Sequence, residues 1–389
     1  MDKGLPQQEP SAGSSLVKLP QLDGLRAVAV SAVLLEHFFW GHYLTHALPW
    51  GWLGVRLFFV ISGFLITSIL LECREISETT GIPKRRSIRQ FYARRALRIL
   101  PLYYLVLFSA AAIGVAPVRE TFAWLATFTS NIYFALRGEW LPPVTHLWSL
   151  AVEEQFYLVW PWVILFVPRR HLPRVMLAAV AIALLWRTLS VAAGHAAVTT
   201  WVATPGSLDT LAMGSLLAIV RRPPHSVFTQ PRRFAGLCLA IGAPLMVLTL
   251  GLHLAGISLS TRLVLSDLAM ALSFTWLVSR AADGFEGWGG RLLNLAPVRY
   301  LGKISYGVYV YHLFVKLLLP GTLVRIGLSY PSGLAGELLT TGATIAIASA
   351  SWHLFELPIN SLKSHFPYRP TDENPPDLEQ RADPTRDDP

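Results

Sequence analysis

An arginine and a histidine, Arg26 and His37, stand eleven residues apart in the apolar segment LDGLRAVAVSAVLLEHF. At about 100° and 1.5 Å per residue, this spacing puts both side chains on one face of a helix, about 16 Å apart along its axis. Ionisable groups inside a membrane-length apolar helix are costly and commonly mark a functional site. Arginine binds phosphates through its forked donors, and histidine exchanges protons near neutral pH. The pair therefore indicates an anion-binding group and an acid–base group at two depths of one site.

A structural interpretation of the same pair stays open at this point. Arg26 could extend along the helix to reach lipid headgroups, since long basic side chains keep their charge at the membrane surface. His37 could hydrogen-bond a neighbouring helix without taking part in any reaction. The helix spacing by itself does not decide between the two interpretations.

The composition of the 389-residue chain is that of a membrane protein. Charged residues make up only 15% of it, hydrophobic residues make up 53%, and there are 13 tryptophans. Soluble domains carry about 25% charged residues. Apolar segments of membrane-spanning length recur along the chain. We predict an all-α, polytopic helical bundle of about ten transmembrane helices, with spans at 22–43, 52–71, 98–116, 146–167, 173–193, 206–220, 234–254, 261–279, 301–320 and 333–356.

The distribution of basic residues predicts the topology. With ten spans, the side opposite the N terminus holds only Arg119, Arg137, Arg262 and Arg325, and most other Lys and Arg residues fall on the N-terminal side. Because cytoplasmic loops carry the excess of positive charge, both termini are predicted to be cytoplasmic. A span at 120–138 would reverse this pattern, so we predict an outward loop or a re-entrant element there. The net charge of +9 follows from this topology, and no nucleic-acid partner is predicted.

One membrane domain, residues 21–358, is predicted between two polar ends. Residues 1–20 are rich in Pro and Ser, and residues 359–389 are rich in Pro, Asp, Arg and Glu. Such segments bury too little apolar surface to fold, so we expect both to be disordered and cytoplasmic. The first 20 residues do not resemble a cleavable signal peptide. The two cysteines, Cys73 and Cys238, form neither a disulfide framework nor a metal-binding set.

An arginine-rich block precedes the third predicted span. The segment PKRRSIRQFYARRALR places Arg94, Arg95 and Arg98 on a short helical stretch that leads into the membrane. Such a block can anchor the protein to anionic lipid. It can also bind an anionic ligand, because arginine pairs with phosphate through two hydrogen bonds. Both interpretations remain open from the residues alone.

Two further spans carry polar residues on one face. His146, Ser149 and Glu153 share a helical face at the start of HLWSLAVEEQFYLVWP. Glu153 and its neighbour Glu154 are too costly to face lipid. They either pair with Arg56 or Arg187 to hold the bundle together, or they take part in chemistry.

The ninth predicted span, GKISYGVYVYHLFV, repeats this pattern. Its residues Ser305, Tyr309 and His312 follow the spacing of one helical face. Asp209 in the sixth span and Glu356 at the end of the last add to the buried polar groups. Together these residues predict a polar cavity within the bundle.

Seven blocks of the sequence, in this order, resemble the signatures of the acyltransferase-3 family. They are LDGLRAVAVSAVLLEHF, FFVISGFLIT, FYARRALRILPLYY, HLWSLAVEEQFYLVWP, SLDTLAMGSLLA, GKISYGVYVYH and FELP. The resemblance covers roughly residues 20–358. The family consists of integral-membrane O-acyltransferases that modify surface glycans and, in some members, macrolides. The resemblance implies a ten-span helical bundle, which agrees with the number of spans predicted from the distribution of Lys and Arg. Some members carry a fused hydrolase-like domain, which we do not find in this sequence.

The resemblance also implies site residues. The family's motif residues match Arg26, His37, Arg94, Arg95, Arg98, Trp148, Ser149, Glu153, Ser305, Tyr306, Tyr309 and His312. Acyl transfer to a hydroxyl needs a base and stabilisation of an oxyanion. We expect His37 to be the base, with Glu153 orienting its imidazole or holding the acceptor. The substrate-binding residues are expected to be Trp148, Ser149, Ser305, Tyr309 and His312.

Acyl-CoA, most simply acetyl-CoA, is the expected co-substrate, and no tightly bound cofactor or metal is expected. Its phosphates are expected to lie on Arg26, Arg94, Arg95 and Arg98. The acyl group would then reach His37, because the arm between the phosphates and the thioester has a length similar to the arginine-to-histidine spacing.

The expected acceptor is a hydroxyl of a carbohydrate or glycan, and the expected location is a cell membrane of the bacterial inner-membrane type. Three alternatives remain. A macrolide or other secondary metabolite could be the acceptor, the chain could be a transporter or flippase of a lipid-linked sugar, or it could be a sensor without turnover. Inverted internal repeats would favour a transporter, and we see none.

Overall fold

The computed structural model describes residues 19–39, 41, 48–222, 230–256 and 259–369, with the backbone only at 259–263. Within these residues the secondary structure is entirely helical. The α-helices are α1 (Pro20–Phe38), α2 (Trp50–Thr80), α3 (Lys84–Ala112), α4 (Ala116–Glu120), α5 (Phe122–Ala126), α6 (Ser130–Arg137), α7 (Leu147–Phe166), α8 (Leu172–Ala192), α9 (Ala197–Val202), α10 (Leu208–Val220), α11 (Pro231–Leu254), α12 (Leu259–Asp283), α13 (Gly287–Asn294), α14 (Ala296–Arg325), α15 (Gly333–Ser351) and α16 (Leu357–Ser361). Shorter 3₁₀ turns occur at Arg169–His171, Thr204–Ser207 and Leu362–His365, and a π-helical turn occurs at Trp352–Glu356.

Each predicted span coincides with a helix of this bundle, which confirms the all-α polytopic fold. By length and composition, seven helices of the described chain can cross a membrane, and they include α2, α3, α8, α11, α12, α14 and α15. The other three predicted spans are α1, α7 and α10. Helices α1 and α7 carry several ionisable residues, and α10 has only 13 residues. The number of crossings and the orientation of the termini stay predictions.

Helix α10 lies at the centre of the bundle. Every side chain from Asp209 to Val220 is buried, and the helix packs closely along α2. A methyl group at Gly214 would overlap the carbonyl oxygen of Val60, so only glycine lets the two backbones approach this closely. A short helix can therefore occupy the core because its neighbours enclose it on all sides.

Helix α1 lies between α2 and α14. A side chain at Gly302 would overlap the carbonyl oxygen of Asp23, so this glycine brings the first turns of α14 directly against α1. The contact aligns the polar face of α14 with the face of α1 that carries Arg26 and His37.

The segment 120–138 folds into α5 and α6, which follow α4. Helices α4, α5 and α6 have five, five and eight residues, and each is too short to cross a bilayer of about 30 Å. This agrees with the predicted non-spanning element.

The predicted start of a disordered tail at residue 359 is wrong. The chain is helical through α16 and the turn Leu362–His365, and its structure is described as far as Arg369. Residues 357–369 pack against α3, as shown below. Both the predicted N-terminal segment up to residue 18 and the tail from residue 370 lie outside the described residues.

Candidate active site

A cavity lies between α1, α2, α3, α7 and α14, and its space of about 890 Å³ is partly open to solvent. Seven of the eleven predicted site residues line it, and they come from four helices that are far apart in sequence, α1, α3, α7 and α14. The seven residues are Arg26, Arg95, Arg98, Ser149, Glu153, Ser305 and Tyr309.

One end of the cavity is rich in arginine. The guanidinium of Arg98 interacts electrostatically with Arg26 and Arg95, and its closest carboxylate is that of Glu356, with an Nη1–Oε2 distance of 3.7 Å. Arg98 also lies over the ring of Trp352, 4.9 Å from its centroid. Three guanidinium groups thus gather at this end of the cavity, and the ion pair that they form among the described residues is the long one with Glu356, so they keep donors for an anion.

Glu153 lies near the arginine end. It hydrogen-bonds Ser62 and Tyr157 and interacts electrostatically with Arg95. Among the described residues it makes no contact with His37, so the expectation that Glu153 orients that imidazole is not supported. Its expected part in holding the acceptor stays a prediction.

The other end of the cavity is closed by two hydroxyl groups. The Ser149 and Tyr309 hydroxyls are 2.5 Å apart, and they lie 3.2 and 2.9 Å from the carbonyl oxygen of His146. Because each hydroxyl has one proton, one of them donates to the carbonyl oxygen and the other donates to its neighbouring hydroxyl. Nearby, the Ser305 hydroxyl is buried without a hydrogen-bond partner among the described residues. It is therefore available to a ligand in the cavity.

Three histidines form a cluster beyond this pair of hydroxyls. The ring of His312 lies 4.8 Å from that of His37 and 4.7 Å from that of His146. The sequence placed His146 on the polar face of its helix but did not connect it with the other two. The signal was present in its spacing from Ser149, but a contact between α7 and α14 cannot be derived from one helix.

Hydrogen bonds fix the proton positions in this cluster. Nδ1 of His37 is 3.0 Å from the Val33 carbonyl oxygen, and Nδ1 of His312 is 2.6 Å from the Tyr309 carbonyl oxygen. A carbonyl only accepts, so both neutral rings are assigned a proton on Nδ1. His312 Nε2 lies 3.2 Å from His37 Nδ1, so the Nδ1 proton of His37 is shared between this nitrogen and the Val33 carbonyl oxygen. His37 Nε2 is left unprotonated and without a partner among the described residues, which is the form a general base requires.

Four predicted site residues do not line the cavity. His37 and His312 belong to the histidine cluster, and the other two, Arg94 and Trp148, make structural contacts. Arg94 donates to the backbone carbonyl oxygens of Lys363 and Phe366, so it holds the C-terminal segment against α3. Trp148 stacks on Trp52, with ring centroids 5.5 Å apart. The first was predicted to bind the donor and the second the substrate, but their described contacts are with the protein itself.

A separate group of ionic residues is fully buried beside Trp52. Arg56 pairs with Asp267 at 2.6 Å, and Arg187 pairs with Asp209 at 2.6 Å and with Asp267 at 3.4 Å. The sequence suggested Glu153 or Glu154 as partners for these arginines, and that suggestion is wrong. Asp267 was not among the polar residues predicted from the sequence to form the cavity.

A family model described as an acyltransferase domain matches residues 19–353. The chain belongs to this acyltransferase family. The acyltransferase is 27% identical to the peptidoglycan O-acetyltransferase OatA of Listeria monocytogenes, with 88% of this chain and 56% of the relative covered. It is also 27% identical to the putative peptidoglycan O-acetyltransferase YrhL of Bacillus subtilis (88% and 55% covered). A putative O-acetyltransferase of Staphylococcus aureus is 28% identical (76% and 50% covered).

The acyltransferase thus spans about half the length of the curated relatives it matches. No solved structure matches it. Together with the apolar helices, the bacterial relatives identify it as a multi-pass bacterial membrane protein. The family membership confirms the resemblance drawn from the seven sequence blocks.

Proposed function

We propose that the protein transfers an acetyl group from acetyl-CoA to a hydroxyl of a cell-surface glycan. The observation that carries this proposal is the position of two groups of side chains within the same helical bundle. Arg26, Arg95 and Arg98 line the cavity, and His37, with an unprotonated Nε2, lies in the histidine cluster beyond Ser149 and Tyr309. The first group suits a phosphorylated donor, and the second suits proton removal from a hydroxyl.

The donor would enter at the arginine end. Its phosphates would pair with Arg26, Arg95 and Arg98, whose charges are only partly offset by Glu356. Its thioester would then extend along α1 towards His37, over the roughly 16 Å of helix that separates the two side chains. Ser305, with its unpaired hydroxyl, lies along this path in the cavity.

The reaction then needs one proton acceptor. His37 Nε2 takes the proton of the acceptor hydroxyl as that oxygen attacks the thioester carbonyl carbon, giving a tetrahedral oxyanion. The oxyanion collapses, the carbon–sulfur bond breaks, and the thiolate takes the proton back from the imidazolium. The products are the O-acetyl ester and free coenzyme A. His312 keeps Nδ1 of His37 protonated and aligned throughout.

The acceptor class is proposed from the relatives. Two of them are named as peptidoglycan O-acetyltransferases, which favours a glycan hydroxyl over a macrolide.

Purified protein in nanodiscs, given acetyl-CoA labelled in the acetyl group, tests the function. We expect time-dependent release of coenzyme A and label in solubilised peptidoglycan fragments. A macrolide is the comparison acceptor. Two results would contradict the proposal: release of coenzyme A by hydrolysis alone, without label in the glycan, and no release of coenzyme A at all. Sustained turnover would exclude a pure transporter or sensor.

A further inference from the structure

The segment that follows Glu356 is docked beside the arginine end of the cavity. Arg94 on α3 donates to the carbonyl oxygens of Lys363, at 2.8 Å, and Phe366, at 3.2 Å. Its guanidinium also lies over the Tyr368 ring, 4.9 Å from the centroid. One arginine thus contacts three residues of the segment 357–369, which we call the C-terminal strap.

Apolar packing and an ion pair hold the far end of the strap. Tyr368 packs on a small apolar cluster formed by Cys73, Ile88 and Leu165, and burial raises the pKa of its hydroxyl. The Tyr368 hydroxyl is therefore neutral near pH 7 and does not offset the charge of the neighbouring arginines. Arg369 lies 3.5 Å from a carboxylate oxygen of Glu72 on α2.

This docking places Lys363 among like charges. Its half-buried ammonium interacts electrostatically with Arg98, Arg95 and Arg94, and no carboxylate pairs with it among the described residues. Arg95 and Arg98 both line the cavity. A half-buried cation beside further cations raises the free energy of the unliganded protein unless an anion occupies the space between them.

We propose that Lys363 is a phosphate-binding residue of the donor site, and that the C-terminal strap is a part of that site. The proposal rests on the proposed function, because it assigns the phosphates of a nucleotide thioester to the rim beside Arg95 and Arg98. Arg94 then acts as a positioning residue, since its hydrogen bonds fix the backbone on which Lys363 is carried.

The phosphate group bound at this rim of the cavity could belong to either of two molecules. The donor brings phosphates on its nucleotide, and anionic lipid brings them on its headgroups. If Lys363 binds the phosphates of the donor, its effect on donor binding is present in a bilayer that contains no anionic lipid. If Lys363 binds lipid headgroups, the effect requires anionic lipid.

Equilibrium binding of coenzyme A to the full-length protein in phosphatidylcholine nanodiscs is the test, with pantetheine as the phosphate-free probe. We expect Lys363→Gln to weaken coenzyme A binding about tenfold, as for the loss of one charge-assisted hydrogen bond, and to leave pantetheine binding unchanged. Lys363→Arg should retain most of the affinity. Arg94→Gln should reproduce the Lys363→Gln effect because it releases the strap. Arg89→Gln is the matched control, since this arginine is exposed on the same helix outside the cavity.

Each outcome decides between distinct claims. Equal coenzyme A affinity of the parent and Lys363→Gln would overturn the proposal, as would an equal loss of pantetheine affinity, which indicates a structural effect. An effect that appears only when phosphatidylglycerol is added would assign Lys363 to lipid and overturn the donor role. Failure of the parent itself to bind coenzyme A would instead contradict the proposed function.

Discussion

Two groups of arginines lie within this helical bundle, and their surroundings differ. Arg56 and Arg187 are fully buried, and each pairs with an aspartate at 2.6 Å, so that two arginines face Asp209 and Asp267. At the cavity, Arg98 lies at the longer distance of 3.7 Å from the carboxylate of Glu356, and Arg95 interacts electrostatically with Glu153 and Glu154 without forming a close ion pair among the described residues. The first group is held in close ion pairs by the protein itself, whereas the second lines an open cavity.

This difference separates a structural role from a binding role. The loss of hydration offsets much of the electrostatic attraction within a buried ion pair. Removing one partner is nevertheless strongly destabilising, because it leaves a buried charge with neither water nor a counter-charge. An arginine beside a cavity has the opposite property, because its unused donors gain most from an arriving anion. We therefore expect substitutions in the first group to lower stability and substitutions in the second to lower donor affinity.

The largest effect on stability is expected from Asp267→Ala. This change removes the carboxylate that accepts from Arg56 and Arg187 and leaves two buried charges with one aspartate. We expect a loss of about 3–5 kcal/mol in the free energy of unfolding, measured as a lower Tm in detergent. Asp283→Ala is the matched control on the same helix, since Asp283 pairs with Arg221 nearer the surface and should contribute no more than about 1 kcal/mol. Equal melting temperatures for the two variants would remove the distinction.

A smaller effect, on affinity alone, is expected from Arg98→Gln. We expect coenzyme A to bind about 10- to 100-fold more weakly because a charge-assisted contact to phosphate is lost. The Tm should stay within experimental error of the parent. Arg98→Lys should recover only part of the affinity, since it keeps the charge and loses the fork. A lower Tm with unchanged affinity would place Arg98 in the structural group.

The smallest effect is expected from His312, which acts on the reaction through His37. His312→Ala removes one of the two acceptors for His37 Nδ1, and the Val33 carbonyl oxygen remains. We expect kcat to fall about tenfold, the cost of one orienting hydrogen bond, while KM for acetyl-CoA stays the same. His312→Gln can still accept this hydrogen bond and should restore part of kcat. An increase of KM without a change in kcat would make His312 a substrate-binding residue, as the sequence predicted.

Much of the fold could be predicted because it depends on one helix at a time. Apolar length gave the helices that coincide with the predicted spans, and helical spacing put Arg26 with His37 and Ser149 with Glu153. These properties follow from the 3.6-residue period of a helix and need no knowledge of its neighbours.

The partners of these residues could not be predicted, because they belong to contacts between helices. Helical spacing correctly put Glu153 on the same face of α7 as Ser149, but it could not show which helix lies opposite that face. The predicted ion pair of Glu153 with Arg56 was therefore wrong. The contact of His312 with His37 spans 275 residues of sequence. The docking of residues 357–369 was missed because their polar composition resembles a disordered tail, whereas Arg94 and a few apolar contacts hold them in place.

Replacement of His37 by glutamine tests the proposed mechanism most directly, in single-turnover assays with labelled acetyl-CoA and a glycan acceptor. Glutamine keeps hydrogen bonding but cannot take up a proton, so we expect coenzyme A to bind with parental affinity while acetyl transfer slows by about 10²- to 10⁴-fold. His37→Ala should be equally slow. Near-parental transfer by His37→Gln would contradict the proposed general base, and so would acetyl label that stays on His37 after denaturation of protein incubated with the donor alone.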